Sequence, residues 1–141
     1  MRRFRFITAP HDGGKTRWVI EHCRGCRGFV SVSPDEEKKE IFLMDLESGE
    51  KRLLMRRNAE NVFIVNEETF SYANTCIMSE TSGLVVLDEC GWMECEKRGF
   101  YPSLVHLRNT PSLSALLSVR LDRLEWYLDF FGRDSAEVIR L

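Results

Sequence analysis

The chain has little charge imbalance: 20 Lys and Arg stand against 22 Asp and Glu in 141 residues, a formal net charge of −2. So balanced a surface argues against a dedicated nucleic-acid or anionic-membrane face, and no nucleic-acid partner is expected. Long hydrophobic runs are also missing. Met1-Arg2-Arg3 leads into an apolar stretch too short for a signal peptide, and nothing approaches the ~20 residues that span a bilayer. No membrane partner and a cytoplasmic location follow as expectations. Repeats and low-complexity linkers are absent. Residues 1–141 therefore read as one domain, long enough to bury a core without staples.

An even set of cysteines is lacking as well. Cys23, Cys26, Cys76, Cys90 and Cys95 make five, without a secretory signal, so a disulfide framework is not expected and the thiols should be reduced. Cys23-Arg-Gly-Cys26 has metal-ligand spacing, with His22 beside it, and Cys90 and Cys95 could in principle complete a zinc site. The second pair lacks the two-residue spacing of a zinc knuckle, so the cysteines are expected to pack as small hydrophobes.

What is present begins at residues 9–16, Ala9-Pro10-His11-Asp12-Gly13-Gly14-Lys15-Thr16. An alternating run, Arg3 to Thr8, precedes this segment, and the helix-like Arg17 to His22 follows it. Strand, Gly-rich loop ending in Lys-Thr, then helix is the order a phosphate cradle needs, the relaxed form of a Walker A loop with Ala9 in the first glycine position. Backbone N–H groups of the loop form an anion nest, Lys15 reaches the β and γ phosphates, and the Thr16 hydroxyl is placed to ligate Mg²⁺. Alanine is tolerated at position 9 if its φ stays negative.

Downstream, Arg27 to Ser33 alternates as a strand, and Pro34 to Lys39 is a charged turn. Glu40 to Leu46 and Lys51 to Arg56 read as a hairpin closed around Gly49. Val62 to Val65 is a short strand. Asn66 caps a helix from Glu67 to about Ser79, with Phe70, Ala73, Asn74 and Ile77 on its core stripe. Gly83-Leu84-Val85-Val86-Leu87 is continuously apolar, as a strand buried on both faces of a parallel sheet must be. Leu116 to Arg120 is a further strand, Leu121 to Phe131 an amphipathic helix with Leu124, Leu128 and Phe131 inward, and Glu137 to Leu141 the last strand. The pattern is α/β, a mostly parallel sheet flanked by helices with an antiparallel hairpin inserted.

The buried strand ends in Asp88-Glu89, at the carboxyl edge where open α/β sheets bind ligands. Asp88 would hold Mg²⁺ through its water shell opposite Thr16, as the Walker B acid does, and Glu89 would orient and deprotonate a water for attack on the γ-phosphorus. A second cation is needed at the transferring group besides Lys15. Arg120, at the end of its strand, is the preferred candidate, followed by Arg98 or an arginine from another subunit. Trp92 is expected to tuck against the sheet rather than stack on a base.

Gly28-Phe29, then Ser48-Gly49-Glu50, then Asp88-Glu89-Cys90-Gly91-Trp92-Met93-Glu94 with Phe100 beyond, resembles the small P-loop nucleoside-triphosphatase family of thermophile-phosphohydrolase type, also known as the cancer-related nucleoside-triphosphatase family. The resemblance spans nearly the whole chain and differs at Ala9 and Cys90. It implies a three-layer RecA-like fold and Mg²⁺-dependent hydrolysis of nucleoside triphosphates to diphosphates with loose base preference. It matches Lys15 and Thr16 to the phosphate and magnesium residues, Asp88 to the metal-side acid, Glu89 to the water-activating acid and Glu94 to a second glutamate. The family continues past its last strand into an Asn-Arg-Asp-like segment not found after Leu141, so base recognition by such a tail is expected to be absent or supplied by other residues. No guanine-reading Asn-Lys-x-Asp pattern appears either, and ATP, GTP, CTP and UTP should all serve.

Two other function classes use the same loop. A nucleotide or small-molecule kinase would add a mobile, Arg-rich lid, and the stretch from Lys97 to Asn109 is short and holds only two arginines. A regulatory protein that binds nucleotide without turnover would keep Lys15 and Asp88. Release of phosphate without an added acceptor separates the hydrolase from both. The residues do not set an oligomeric state.

Overall fold

Short strands and helices alternate along a chain that the computed structural model describes over residues 2–10 and 14–141, with Glu89 described by its backbone alone. β1 (Phe4–Thr8), α1 (Lys15–Cys23), β2 (Arg27–Val32), β3 (Glu40–Asp45), β4 (Lys51–Arg57) and β5 (Phe63–Val65) come first. α2 (Glu67–Met78), β6 (Gly83–Cys90), α3 (Trp92–Cys95), α4 (Tyr101–Asn109), β7 (Leu113–Val119), α5 (Leu124–Phe131) and β8 (Ala136–Arg140) follow. The strands form one eight-stranded sheet in the order β5-β4-β3-β2-β6-β7-β1-β8. From β2 to β8 every pairing is parallel. β3, β4 and β5 extend the sheet antiparallel. The expected hairpin thus gains a third strand and lies at one end of the sheet.

Period-two alternation in the parallel strands separates two cores, because successive side chains leave opposite faces. Ile7, Val30, Val86 and Leu116 project to the face that α1 covers with Val19 and Cys23. Phe4, Phe6, Val85, Leu87, Ala115 and Leu117 project to the other, where α2, α4 and α5 supply Phe70, Leu104, Leu107, Tyr127 and Phe131. Helices on both faces of a mostly parallel sheet make three layers. The α2 stripe is buried as the sequence predicts, and in α5 Tyr127 lies deeper than Leu128.

α1 and α2 are anchored differently at their starts. The Asn66 side chain accepts the Glu68 N–H and caps α2. α1 opens at Gly14, whose φ of 83° belongs to the left-handed region that glycine enters without a Cβ clash. The sequence motif at Gly28-Phe29 has a packing origin: a Cβ on Gly28 would lie 1.9 Å from the Val86 carbonyl oxygen, so only glycine lets β2 approach β6 there. Ser48-Gly49-Glu50 is the turn of the β3–β4 hairpin, where the Asp45 carboxylate accepts the Glu47 and Ser48 N–H groups. Leu46 there pairs with Gly28 near the start of β2, at the sheet edge opposite the carboxyl ends of the parallel strands.

Candidate active site

β1 delivers the loop at the carboxyl edge. Ala9 is buried and is not among the residues with positive φ, so a methyl side chain is accommodated there. His11, Asp12 and Gly13, expected in the phosphate nest with Pro10 and Gly14, lie outside the described residues. Gly14 accepts the Trp18 N–H at 3.0 Å, which starts α1 and carries Lys15 and Thr16 on its first turn. The Lys15 ammonium turns over the sheet edge and donates to the Val119 carbonyl at the end of β7, 3.4 Å away.

β6 is irregular where its acids lie. Leu87 pairs with Leu117 and Cys90 with Val119, so three steps on β6 match two on β7. Leu87 and Cys90 accordingly face the same core. The extra residue is a bulge spanning Asp88-Glu89, a device that re-aims side chains beside functional sites. Asp88, fully buried (0 % exposed), is held from both flanks. The Thr16 hydroxyl donates to Oδ2 at 2.7 Å, the Ser31 N–H of β2 donates to the same oxygen at 3.2 Å, and the Ser118 hydroxyl of β7 donates to Oδ1. Thr16 and Asp88, 72 residues apart, are in direct contact.

The sequence reading missed Ser31 and Ser118. Each is a hydroxyl flanked by apolar residues in a strand beside the one carrying Asp88, a weak local signal. Two other hydroxyl features mark the same edge: the buried Oγ1 of Thr8, last residue of β1, and the Oγ of Ser31 have no hydrogen-bond partner. Buried polar atoms without partners are uncommon. Here they flank the Lys15–Thr16–Asp88 group, an oxygen-rich environment suited to a hard cation that keeps several of its waters.

Arg120 follows β7 directly. Its guanidinium is engaged bidentately by Asp122, at 3.1 and 3.0 Å, and its stem lies against Gly91. Arg98 sits 4.0 Å from the Glu67 carboxylate and 5.8 Å from the Trp92 ring centroid. Trp92 does not tuck against the sheet as expected. It is 43 % exposed at the first turn of α3, because the adjacent buried positions are taken by Met93 and Glu94. Thr16, Ser31, Trp92, Arg98 and Arg120 all line one cleft of about 990 Å³.

Glu94, whose role the sequence leaves open, closes the turn after the acidic pair. It is 2 % exposed, and its carboxylate accepts the Gly91 N–H at 2.8 Å, the Phe100 N–H at 2.9 Å and the Tyr127 hydroxyl at 3.4 Å. Burial outweighs these donors and pushes the Glu94 carboxyl above the ordinary glutamate value. Phe100, the last residue of the family pattern, packs edge-on against Phe70 in the core.

The cysteines do not converge. Cys23 belongs to the α1 face and Cys90 to the opposite core, so the sheet separates the two halves of the conceivable zinc set. Burial, with Cys26 alongside, pushes the Cys23 thiol up to about 11, which leaves it protonated and unreactive near neutral pH. His22 stacks on Trp18 at 4.1 Å, and His106 contacts the Glu80 carbonyl at 2.7 Å. Among the described residues no helix is long and apolar enough to cross a membrane.

No family model matches the chain, and no curated protein does. Solved structures do. The human cancer-related nucleoside triphosphatase superposes with a TM-score of 0.70 at 19% identity, covering 99% of this chain and 88% of its own. THEP1 from the hyperthermophile Aquifex aeolicus gives 0.65 at 15% identity, covering 98% and 89%. The chain therefore shares the fold of these two nucleoside triphosphatases, with the loop after β1 and the acid in β6 at the carboxyl edge of its sheet.

Proposed function

We propose that this chain hydrolyses nucleoside 5′-triphosphates to diphosphate and phosphate. The observation that carries the reading is the 2.7 Å contact between Thr16 and Asp88, which joins the Gly-Lys-Thr loop to the acid of the buried strand across β7. Resemblance of the fold to nucleoside triphosphatases supports it.

The loop's backbone N–H groups would cradle the phosphates, and Lys15 exchanges its carbonyl contact for the β and γ oxygens. The Thr16 hydroxyl and, through water, the Asp88 carboxylate would hold Mg²⁺. Such an ion would supply positive charge to offset the negative charge of the triphosphate. Ser31 and Ser118 fix the Asp88 carboxylate so that it need not reorganise. Glu89 takes the proton of the attacking water. Arg120, on leaving Asp122, supplies the cation at the γ-phosphoryl group.

Phosphate release by purified protein, with and without Mg²⁺ and without an added acceptor, tests the reading. Glu89→Gln should retain triphosphate binding while single-turnover hydrolysis falls roughly a hundredfold or more. An unchanged rate removes Glu89 as the base. ATP, GTP, CTP and UTP should have kcat/KM values within about a factor of ten of each other, since the assigned contacts address the triphosphate and not the base.

A further inference from the structure

The cleft extends well beyond the phosphate site. From Thr16 and Arg120 it runs along the carboxyl edge past the end of β2 to the antiparallel strands. Its floor there is apolar, with Ile41, Leu54, Met55, Val65, Phe70 and Phe100. At about 990 Å³ it is at the upper end of pockets that hold drug-sized ligands, far larger than a single attacking water requires.

Sheet order gives its place relative to the phosphates. The loop stands on β1, and the Thr16–Asp88 contact stands at β6, two strands away. The cleft continues in the same direction over β2, β3, β4 and β5. A triphosphate that enters along the loop and ends at Thr16 and Asp88 turns the far side of its terminal phosphorus toward this space. In-line displacement brings the nucleophile from that side.

The far end of the cleft carries Arg57 and Lys38 beside Asp35. Arg57, at the end of β4, lies 4.6 Å over the Phe63 ring and donates to the Asn61 side-chain oxygen at 3.1 Å. Its Nε is buried with no hydrogen-bond partner, which leaves the guanidinium short of acceptors. Acids on the lining do not meet this need: none bonds Arg57, Glu94 is held by backbone N–H groups, and Asp35 accepts the Lys39 N–H.

We propose that the cleft is a second ligand site, taking a small organic anion with a flat apolar body whose acid group is held by Arg57, on the side from which the terminal phosphate is attacked. The apolar floor takes the body, Phe63 and the Arg57 plane stack on its edge, and the occupant excludes water from the in-line approach. Placement beside the terminal phosphate rests on the triphosphatase reading, whereas the site itself does not.

The probe is 8-anilinonaphthalene-1-sulfonate, an aromatic body with one sulfonate. Native protein should bind it one-to-one with a saturable fluorescence rise that persists under saturating non-hydrolysable triphosphate analogue and Mg²⁺. Saturation should slow ATP hydrolysis several-fold through kcat, with KM little changed. Arg57→Gln should weaken the probe about tenfold, the equivalent of one charge-assisted hydrogen bond, with unaltered melting temperature and unaltered hydrolysis in its absence. Phe63→Ala, a partly exposed position, should weaken it in the same direction and covers the case of a misfolded Arg57 variant. Displacement by the triphosphate analogue, equal affinity in both variants and parent, or no saturable binding overturns the proposal. Lys15→Ala separates the two readings: it should lose triphosphate and keep the probe, and a parent that binds probe but no triphosphate would leave the site standing while removing the hydrolase.

Discussion

Two buried carboxylates sit six residues apart and are held in opposite ways. Asp88 is fixed by two hydroxyls, of Thr16 and Ser118, and by one backbone N–H, of Ser31. Glu94 is fixed by two backbone N–H groups, of Gly91 and Phe100, with the Tyr127 hydroxyl at longer range. Hydroxyls rotate, donate and accept, and so can be redirected to a ligand or its water shell. Backbone donors cannot turn away. The difference teaches that burial of an acid does not by itself mark a catalytic group. Asp88 lies where partners are exchangeable and loop and strand meet, whereas Glu94 ties the turn after β6 to the start of α4 and to α5.

The two carboxylates differ most in what they contribute to stability. Glu94→Ala leaves the Gly91 and Phe100 N–H groups without their acceptor inside the protein, so unfolding in urea should show a loss of about 3 kcal/mol. The loss should come with little change in triphosphate affinity of the folded fraction. If Glu94→Ala melts like the parent and fails only in turnover, Glu94 belongs to the chemistry and the contrast is wrong.

Asp88→Asn should behave inversely. The amide keeps an oxygen for Thr16 or Ser31 and can reverse its bond with Ser118, so stability should fall by about 1 kcal/mol or less. Hydrolysis should fall by roughly two orders of magnitude, because the charge on the metal side of the site is gone. Single-turnover kinetics beside a urea titration separates the two effects. Equal losses in both measurements would make Asp88 another structural acid.

This contrast was only half legible in the sequence. Asp88-Glu89 stood out because an apolar run ended in acids, a signal carried by local pattern. Thr16 stood out because the Gly-Lys-Thr spacing encodes its chemistry directly. β1, β2, the hairpin, α2 and β6 were readable from period and turn residues for the same reason. Ser31 and Ser118 were not, since their role depends on strand order, β2 and β7 flanking β6, which no local period contains. α4 escaped because it has only nine residues and its buried stripe sets Ser103 beside Leu104 and Leu107. β7 begins three residues earlier than expected, at Leu113, where Ser114 interrupts the apolar run but pairs with Leu84. Of the family pattern, Gly28 and Ser48-Gly49-Glu50 prove to be strand contact and turn. A residue pattern can span the chain while only part of it lines the site.

The smallest expected effect concerns pH. Burial raises the folded-state pKa of Glu94 above its unfolded value, so between the two values the folded chain binds more proton than the unfolded one. Its contribution to stability is therefore full below the ordinary carboxylate pKa, declines as pH rises through the raised value, and is level beyond it. Tyr127 adds no slope in this range, because burial pushes its hydroxyl upward and keeps it protonated, and the Cys95 thiol is pushed up likewise. Glu94→Gln removes the titration. Its carbonyl oxygen can satisfy one of the two N–H groups, at a cost of about 1–3 kcal/mol for the other. Urea unfolding of parent and variant across the acidic range should show the parent's advantage shrinking as pH rises, with the variant lacking that component. A gap that widens instead would mean that the ionised carboxylate is favoured in the fold, with the N–H donors outweighing burial.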